Sequence, residues 1–258
     1  MNNAVSGNAK KTLSALVVVH NEEAQLGECL GTLKFADEIV VVLDKCSDGS
    51  KAVAEQFTNK LVEGSWELEG PRRNAGIEAC SGDWIFEVDA DERVSDELAI
   101  EIMETIQHAP FGHLLVPFDN YIGKTLVRHG WGGSWGVGAK QCVFSKGAKV
   151  WGNKRVHPPV KMTGQRTCIN SRMDHFVDRD ISDMIKRLDR YTTARAADMR
   201  DSGEIGSFAN NIRRLFSRFF KCYLRRKGYR EGYWGFLIAL MAGLFPLLSY
   251  LKARLEDK

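Results

Sequence analysis

Ile85-Phe86-Glu87-Val88-Asp89-Ala90-Asp91-Glu92 is a short apolar run that delivers two aspartates, one residue apart, at its carboxyl end. Such a run ahead of polar residues reads as a buried strand. The carboxyl ends of strands in a parallel α/β sheet are where ligands bind. Successive side chains of an extended segment point to opposite faces, so Asp89 and Asp91 are expected to share a side and act together on one cation. Carboxylates suit Mg²⁺ or Mn²⁺, which bind through one or two carboxylates together with substrate phosphates. The expected partner is a diphosphate.

Working back from this strand, Leu13 to Val19 reads as another buried strand, running into His20-Asn21-Glu22-Glu23 and then a helix marked by Leu26, Leu30 and Leu33. Ile39 to Leu43 is a second strand, ending at Asp44, and Lys45 to Ser50 turns into a helix carrying Ala52, Val53, Ala54 and Phe57. A third strand, Lys60 to Val62, precedes Pro71-Arg72-Arg73-Asn74-Ala75-Gly76, where Pro71 suits a helix's first turn. Strands that are apolar without alternation and that alternate with helices imply a mostly parallel sheet covered on both faces. Glu22, Asp44, Arg72, Arg73, Asp89 and Asp91 then gather at its carboxyl edge. Local roles coexist with this reading: Glu22 and Glu23 favour the positive end of a helix dipole, and Asp44 can cap its turn. The chain has no G-x-G-x-x-G after the first strand and no G-x-x-x-x-G-K-[ST], which counts against a dinucleotide dehydrogenase and a P-loop NTPase.

Beyond the aspartates, Ser95-Asp96-Glu97 followed by Leu98, Ile102, Met103 and Ile106 reads as a capped amphipathic helix. Glu92 either positions the aspartates or caps that helix. Leu114 to Phe118 and Gln141 to Phe144 read as strands around Gly130-Trp131-Gly132-Gly133-Ser134-Trp135-Gly136, whose aromatics either stack on a sugar ring or nest against the sheet. From Asp180, the stripe Ile181, Met184, Ile185, Leu188 and Tyr191 marks an ordinary amphipathic helix, and Arg200 to Gly206 reads as a linker.

The 258 residues suit one catalytic α/β domain with an appendage. Six scattered cysteines without a C-x-x-C pair argue against zinc or a disulfide framework. With no secretory signal evident, a cytoplasmic location is expected. The net charge of +3 hides an asymmetry: Arg213, Arg214, Arg218, Lys221, Arg225, Arg226, Lys227 and Arg230 occur with no acidic residue among them, and Tyr233 to Tyr250 carries no charge. Basic next to apolar and aromatic suits the cytoplasmic face of an anionic membrane. As a helix, Tyr233 to Tyr250 would be roughly 27 Å long, enough to span. Pro246 is expected to break that helix, which favours an interfacial or re-entrant segment over a span or a packed helix.

The order Val19-His20-Asn21-Glu22-Glu23, Asp44-Lys45-Cys46-Ser47-Asp48-Gly49-Ser50, Arg72-Arg73-Asn74 and Asp89-Ala90-Asp91-Glu92 resembles family 2 inverting glycosyltransferases, in particular the bacterial lipopolysaccharide-core branch. The resemblance covers residues 12 to 195 and implies a GT-A (Rossmann-like) α/β fold, a mostly parallel sheet flanked by helices, with a basic and hydrophobic helical appendage at the C-terminus. It implies a nucleotide-sugar-binding half over 1–110, an acceptor side over 111–199 and a membrane-associating tail over 200–258. Asn21, Glu22 and Asp44 would bind the nucleoside, Arg73 and Asn74 would lie near the nucleotide, and Asp89 and Asp91 would carry the Mg²⁺ or Mn²⁺ and the diphosphate. His175 matches a family histidine that reaches the metal or the leaving diphosphate; a histidine satisfied in a packed loop is the alternative.

Trp151 to Val160 resembles a family segment that commonly reads Val-His-Glu, but here Pro158 follows His157. The glutamate that would serve as base is missing. Asp119, Asp174 and His157 are the remaining candidates to take the acceptor proton; an ionised lipid phosphate as acceptor needs no base. The expected reaction moves a sugar from a nucleoside-diphosphate donor, a UDP-sugar by resemblance, to a lipid-linked glycan or lipopolysaccharide core at the inner membrane. Transfer to a polyprenyl phosphate, a nucleotidyltransferase and a noncatalytic membrane scaffold are the competing readings.

Overall fold

The computed structural model describes residues 10–132, 135–153 and 159–256. Its first half is built from β1 (Leu13–Val19), β2 (Glu38–Asp44), β3 (Leu61–Gly64) and β4 (Trp84–Val88), paired in parallel in the order β3-β2-β1-β4. Every residue of β1 and β4 is buried, which is why these strands read as unbroken apolar runs. Cover comes from α1 (Glu23–Gly31), α2 (Ser50–Ala54) and α3 (Glu69–Ala79). At Gly76 an added Cβ would lie 2.6 Å from Leu16 Cδ1, so glycine lets α3 sit close on the sheet. That approach carries Arg72 and Arg73, one turn earlier, towards the strand ends.

The chain continues through β5 (Glu92–Arg93), α4 (Asp96–His108), β6 (Gly112–Ile122), β7 (Thr125–Val127), β8 (Ala139–Ser145), β9 (Lys149–Trp151), β10 (Val160–Met162), β11 (Gln165–Cys168) and β12 (Met173–Asp178). Ser95 caps α4, its side chain accepting from the Leu98 amide at 3.2 Å. β8 inserts antiparallel between β4 and β6, while β12 pairs parallel with β6 and antiparallel with β5. The sheet therefore runs β3-β2-β1-β4-β8-β6-β12-β5, without interruption across residue 110.

The C-terminal part is α5 (Ile181–Ser202), α6 (Phe208–Phe220), a π-turn (Lys221–Arg225), a 3-10 turn (Gly228–Glu231) and α7 (Gly232–Leu255). Two expectations need correction. Residues 200 to 202 belong to α5, which stops only where Gly203 adopts a left-handed conformation, so the linker is shorter than residues 200 to 206. Pro246 does not break the last helix, which runs through it to Leu255. Proline removes one hydrogen bond and crowds the preceding turn. Here that loss is met by packing: Pro246 is buried with Ile238, Ala239, Ala242 and Phe245, and α7 lies against both α5 and α6. Gly235 and Gly243 allow the closest approaches, since added Cβ atoms would lie 1.8 Å from the Gly228 carbonyl oxygen and 2.8 Å from that of Leu215.

Trp131 and Trp135 join this second core. Trp135 is fully buried beneath the Arg187 guanidinium, 4.0 Å from the ring, so both tryptophans nest between the sheet's end and the helices.

Candidate active site

The strand β4 places Glu87 in the interior and hands Asp89 to a tight turn, closed by the Glu92 amide donating to the Asp89 carbonyl at 2.9 Å. The turn ends the alternation assumed from the sequence, and Asp89 and Asp91 face different partners. Asp89 meets two cations: Arg73 Nη2 at 2.8 Å on Oδ1 and Lys140 Nζ at 2.8 Å on Oδ2. Arg73 also binds Glu87 and Glu69, each at 2.8 Å, Lys149 binds the second oxygen of Glu87, and Lys140 also binds Glu92. Burial pushes the Asp89 carboxyl up, but Arg73 and Lys140 outweigh it and hold the group well below the usual carboxylate range. Arg73 is likewise held charged, because Asp89, Glu87 and Glu69 overcome its desolvation. The network thus presents an ionised, fixed Asp89.

Asp91 turns the other way. Its Oδ2 lies 3.4 Å from His175 Nε2, while its Oδ1 is buried without a hydrogen-bond partner. Asn120 donates Nδ2 to the Val137 carbonyl at 2.9 Å and so presents Oδ1 to His175 Nδ1 at 2.8 Å. With Nδ1 as the donor, a neutral imidazole directs its Nε2 lone pair at Asp91. Ligand atoms of Asp91, Glu92 and His175 lie within 4.8 Å of one another. A buried oxygen with no donor beside a second lone pair fits a divalent cation. Glu92 stands behind it: its Oε2 accepts from the Asp89 amide at 3.0 Å, and burial, with Asp89 and Asp91 nearby, pushes its carboxyl up. Glu92 therefore positions the aspartates, and Ser95 caps the helix.

Two cavities meet at Glu69, Arg73 and Asp89. The larger, about 480 Å³, is lined by His20, Glu22, Asp44, Trp66, Arg72 and Asp91 among others, and is closed on one side by Arg190 and Tyr191 of α5. Asp44 is buried, its oxygens taking the Trp66 amide at 2.9 Å and Arg72 Nη1 at 3.0 Å. Burial raises the Glu22 carboxyl, in spite of a 2.7 Å hydrogen bond from Gln25. The second cavity, about 310 Å³, is lined by Glu87, Lys140, Gln141, Lys149, Trp151 and Val160 on the other side of Asp89.

Residues 14–148 match the family model described as "Glycosyl transferase family 2". The chain belongs to that family. This glycosyltransferase is 24% identical to the lipopolysaccharide core biosynthesis glycosyltransferase LpsC of Rhizobium meliloti (strain 1021), over 94% of this chain and 92% of that protein. It is 22% identical to an uncharacterized glycosyltransferase of Rickettsia felis, over 94% and 89%. Among solved structures, S. aureus TarS 1-349 in complex with UDP-GlcNAc aligns with 44% of this chain and 36% of that one, at 25% identity and a TM-score of 0.39. Glucosyl-3-phosphoglycerate synthase from Mycobacterium tuberculosis, in complex with Mn²⁺ and UDP-glucose, covers 44% and 45% at 19% identity and a TM-score of 0.37. The fold of this family 2 glycosyltransferase is GT-A, with a helical C-terminal appendage.

The glycosyltransferase brings Glu22, Asp44, Arg73, Asp89 and Asp91 to one cavity, with His175 beside Asp91. Asn21, at φ +58°, accepts from the Ser47 amide at 2.8 Å, and Asn74 pairs with both backbone groups of Trp151 at 2.9 and 3.0 Å. Asp119 and Asp174 are register partners across β6 and β12, one residue out of phase with Asn120 and His175. Alternation therefore puts them on the opposite face of the sheet from the Asp91 group. Asp119 is also gripped by Arg128 at 2.9 Å and Arg172 at 2.5 Å, which outweigh its burial and lower its carboxyl, while burial and Asp119 raise Asp174. His157 and Pro158 lie outside the described residues. Sequence reasoning missed Lys140, Trp66 and Arg190. Lys140 arrives through long-range strand pairing, and Arg190 looks like any charge on a helix face.

Proposed function

We propose that this glycosyltransferase is metal-dependent and moves a sugar, with inversion, from a UDP-type nucleoside-diphosphate donor to a lipopolysaccharide-core or other lipid-linked glycan. It would work peripherally at the cytoplasmic face of the inner membrane. The observation that carries this reading is the junction of two cavities at Asp89, held between Arg73 and Lys140, with an unpartnered Asp91 oxygen and His175 alongside. Asp44, Arg72 and Trp66 hold the nucleoside in the larger cavity. Asp89, fixed by Arg73 and Lys140, accepts a hydrogen bond from a donor hydroxyl. Asp91 and His175 would hold Mg²⁺ or Mn²⁺, which supplies positive charge against the leaving diphosphate. The second cavity admits the acceptor. Likeness to LpsC over nearly the whole chain supports a lipopolysaccharide-core acceptor.

The base in this scheme is His157, which in sequence lies between Trp151 and Val160, both lining the acceptor cavity. His157→Ala should lower kcat more than Asp174→Asn does; the reverse order would return the role to Asp174.

Asp44→Ala should raise donor KM by about tenfold and change kcat less, since it frees Arg72 and the Trp66 amide without touching the reacting atoms. A sharp fall in kcat at unchanged KM would remove Asp44 from nucleoside binding. Arg190 has no carboxylate within ion-pair distance among the described residues and rests on the Tyr191 ring at 5.3 Å, so it is available to a ligand phosphate. Arg190→Ala should weaken UDP binding about tenfold and leave uridine binding unchanged, as read by calorimetry. Equal losses for both ligands would assign Arg190 to cavity shape rather than to the diphosphate.

A further inference from the structure

We infer that the protein docks on anionic bilayers through the outer face of α6 and the basic turns after it, and that α7 stays inside the helical bundle. By length and composition α7 could cross a membrane, with a mean hydropathy of 1.8 in its most apolar window, but half of that window is buried within the protein. Its Gly235 and Gly243 lie in close contact with the Gly228 turn and with Leu215 of α6. Inserting α7 would mean dismantling the second core, including the packing of Trp131 and Trp135.

The outer side of α6 is the opposite case. Phe208, Phe216, Phe220 and Leu224 are 53%, 56%, 52% and 52% exposed, with Tyr229 and Phe236 also exposed nearby in sequence. The last three of that stripe follow at four-residue spacing, so they lie along one side of the helix and its π-turn. Isolated surface hydrophobics are ordinary, but an aromatic row on one helix is a contact surface.

Charge identifies the contact. Arg213, Lys221, Arg225, Lys227 and Arg230 are exposed in the same segment, and no acidic residue lies between Glu204 and Glu231. A second copy of this face would bring like charges together, whereas anionic lipid headgroups neutralise them while the phenylalanines enter the acyl boundary. The segment is also tied to the catalytic domain. The Gly130 amide donates to the Arg226 carbonyl at 2.9 Å, and Glu231 accepts from the Arg128 and His129 amides at 3.1 and 2.9 Å. This loop leads into β8, where Lys140 and Gln141 line the acceptor cavity. A docked α6 therefore connects through one loop to the wall of the cavity that receives the acceptor.

The inference rests on the membrane-borne acceptor proposed above, but its test reads lipid binding alone. Full-length protein is sedimented with vesicles of phosphatidylcholine, with or without 30% phosphatidylglycerol, at low and high salt. Wild type should bind the anionic vesicles at least tenfold more tightly than the neutral ones, retain part of that binding at high salt, and be released by alkaline carbonate. Phe216→Ser/Phe220→Ser should lose at least tenfold in vesicle binding and all of the salt-resistant part, with unchanged melting temperature and UDP affinity. A variant with Arg213, Lys221, Arg225, Lys227 and Arg230 changed to Gln should lose the preference for anionic lipid. Retention of wild type after carbonate extraction would overturn the inference in favour of a spanning α7. Unchanged vesicle binding by the double Phe variant would overturn the assignment to α6. So would a wild-type dimer that ignores vesicles and becomes monomeric in that variant, since a second copy would then cover the face. Absence of UDP binding alongside intact vesicle binding would count against the proposed reaction and leave this surface standing.

Discussion

Asp91→Ala is expected to lower transfer by about a hundredfold to a thousandfold, the scale of losing one preorganised electrostatic element, while the protein melts no earlier than wild type. The stability half follows from the geometry. One Asp91 oxygen is buried with no protein donor, and its charge adds to the burial and the Asp89 charge that raise the carboxyl of Glu92. Removing it relieves repulsion and breaks no hydrogen bond that the fold uses. Calorimetric titration with Mn²⁺ should show binding to the wild type, loss in Asp91→Ala, and a weaker but measurable site in Asp91→Asn. Mn²⁺ binding that survives in Asp91→Ala would place the cation elsewhere.

Arg73→Ala is expected to be the most destabilising single change in the site. Arg73 is 11% exposed and holds Glu69, Glu87 and Asp89 at once, and Glu87 itself is 4% exposed. Breaking a buried pair by removing one partner costs about 3–5 kcal/mol, because the remaining charge stays buried. For a chain of this length that corresponds to a fall of about 10 °C in melting temperature. Arg73→Ala/Glu87→Gln should recover part of the loss, and a double-mutant cycle measures how much. The pH dependence has a fixed sign. Asp89 is held below its unfolded value, so its contribution is complete above the ordinary aspartate range near pH 4 and is lost as pH falls below it. Wild type and Arg73→Ala should therefore converge in stability on acidification. Identical melting curves at neutral pH would mean that the network does not hold the site.

The parallel half was legible because β1, β2 and β4 are buried on both faces and leave an uninterrupted apolar signature, with polar residues collecting at their ends. Glu22, Asp44, Arg73, Asp89 and Asp91 could be placed together on that basis alone. The division of labour between Asp89 and Asp91 could not, because the turn after Val88 cancels strand alternation and Lys140 is delivered from β8, some fifty residues on. Nothing local discloses that β6 and β12 pair with Asp119 and Asp174 on the far face from the Asp91 group, or that Arg128 and Arg172 hold Asp119. In the tail, the continuity of α7 through Pro246 was missed for a related reason. Composition marks α7 as apolar but does not say whether lipid or protein covers it, and Gly235, Gly243 and Pro246 turned out to serve helix packing.

Metal-dependent glycosyl transfer at the junction of the two cavities is decided by product analysis on full-length protein with Mn²⁺, radiolabelled UDP-sugars and lipopolysaccharide from a strain lacking this protein. Nucleoside diphosphate should be released in step with label incorporated into the core, with an inverted anomeric linkage, and both products should be lost on chelation or in Asp91→Ala. Release of pyrophosphate, or transfer that proceeds undiminished without a divalent cation, would contradict it.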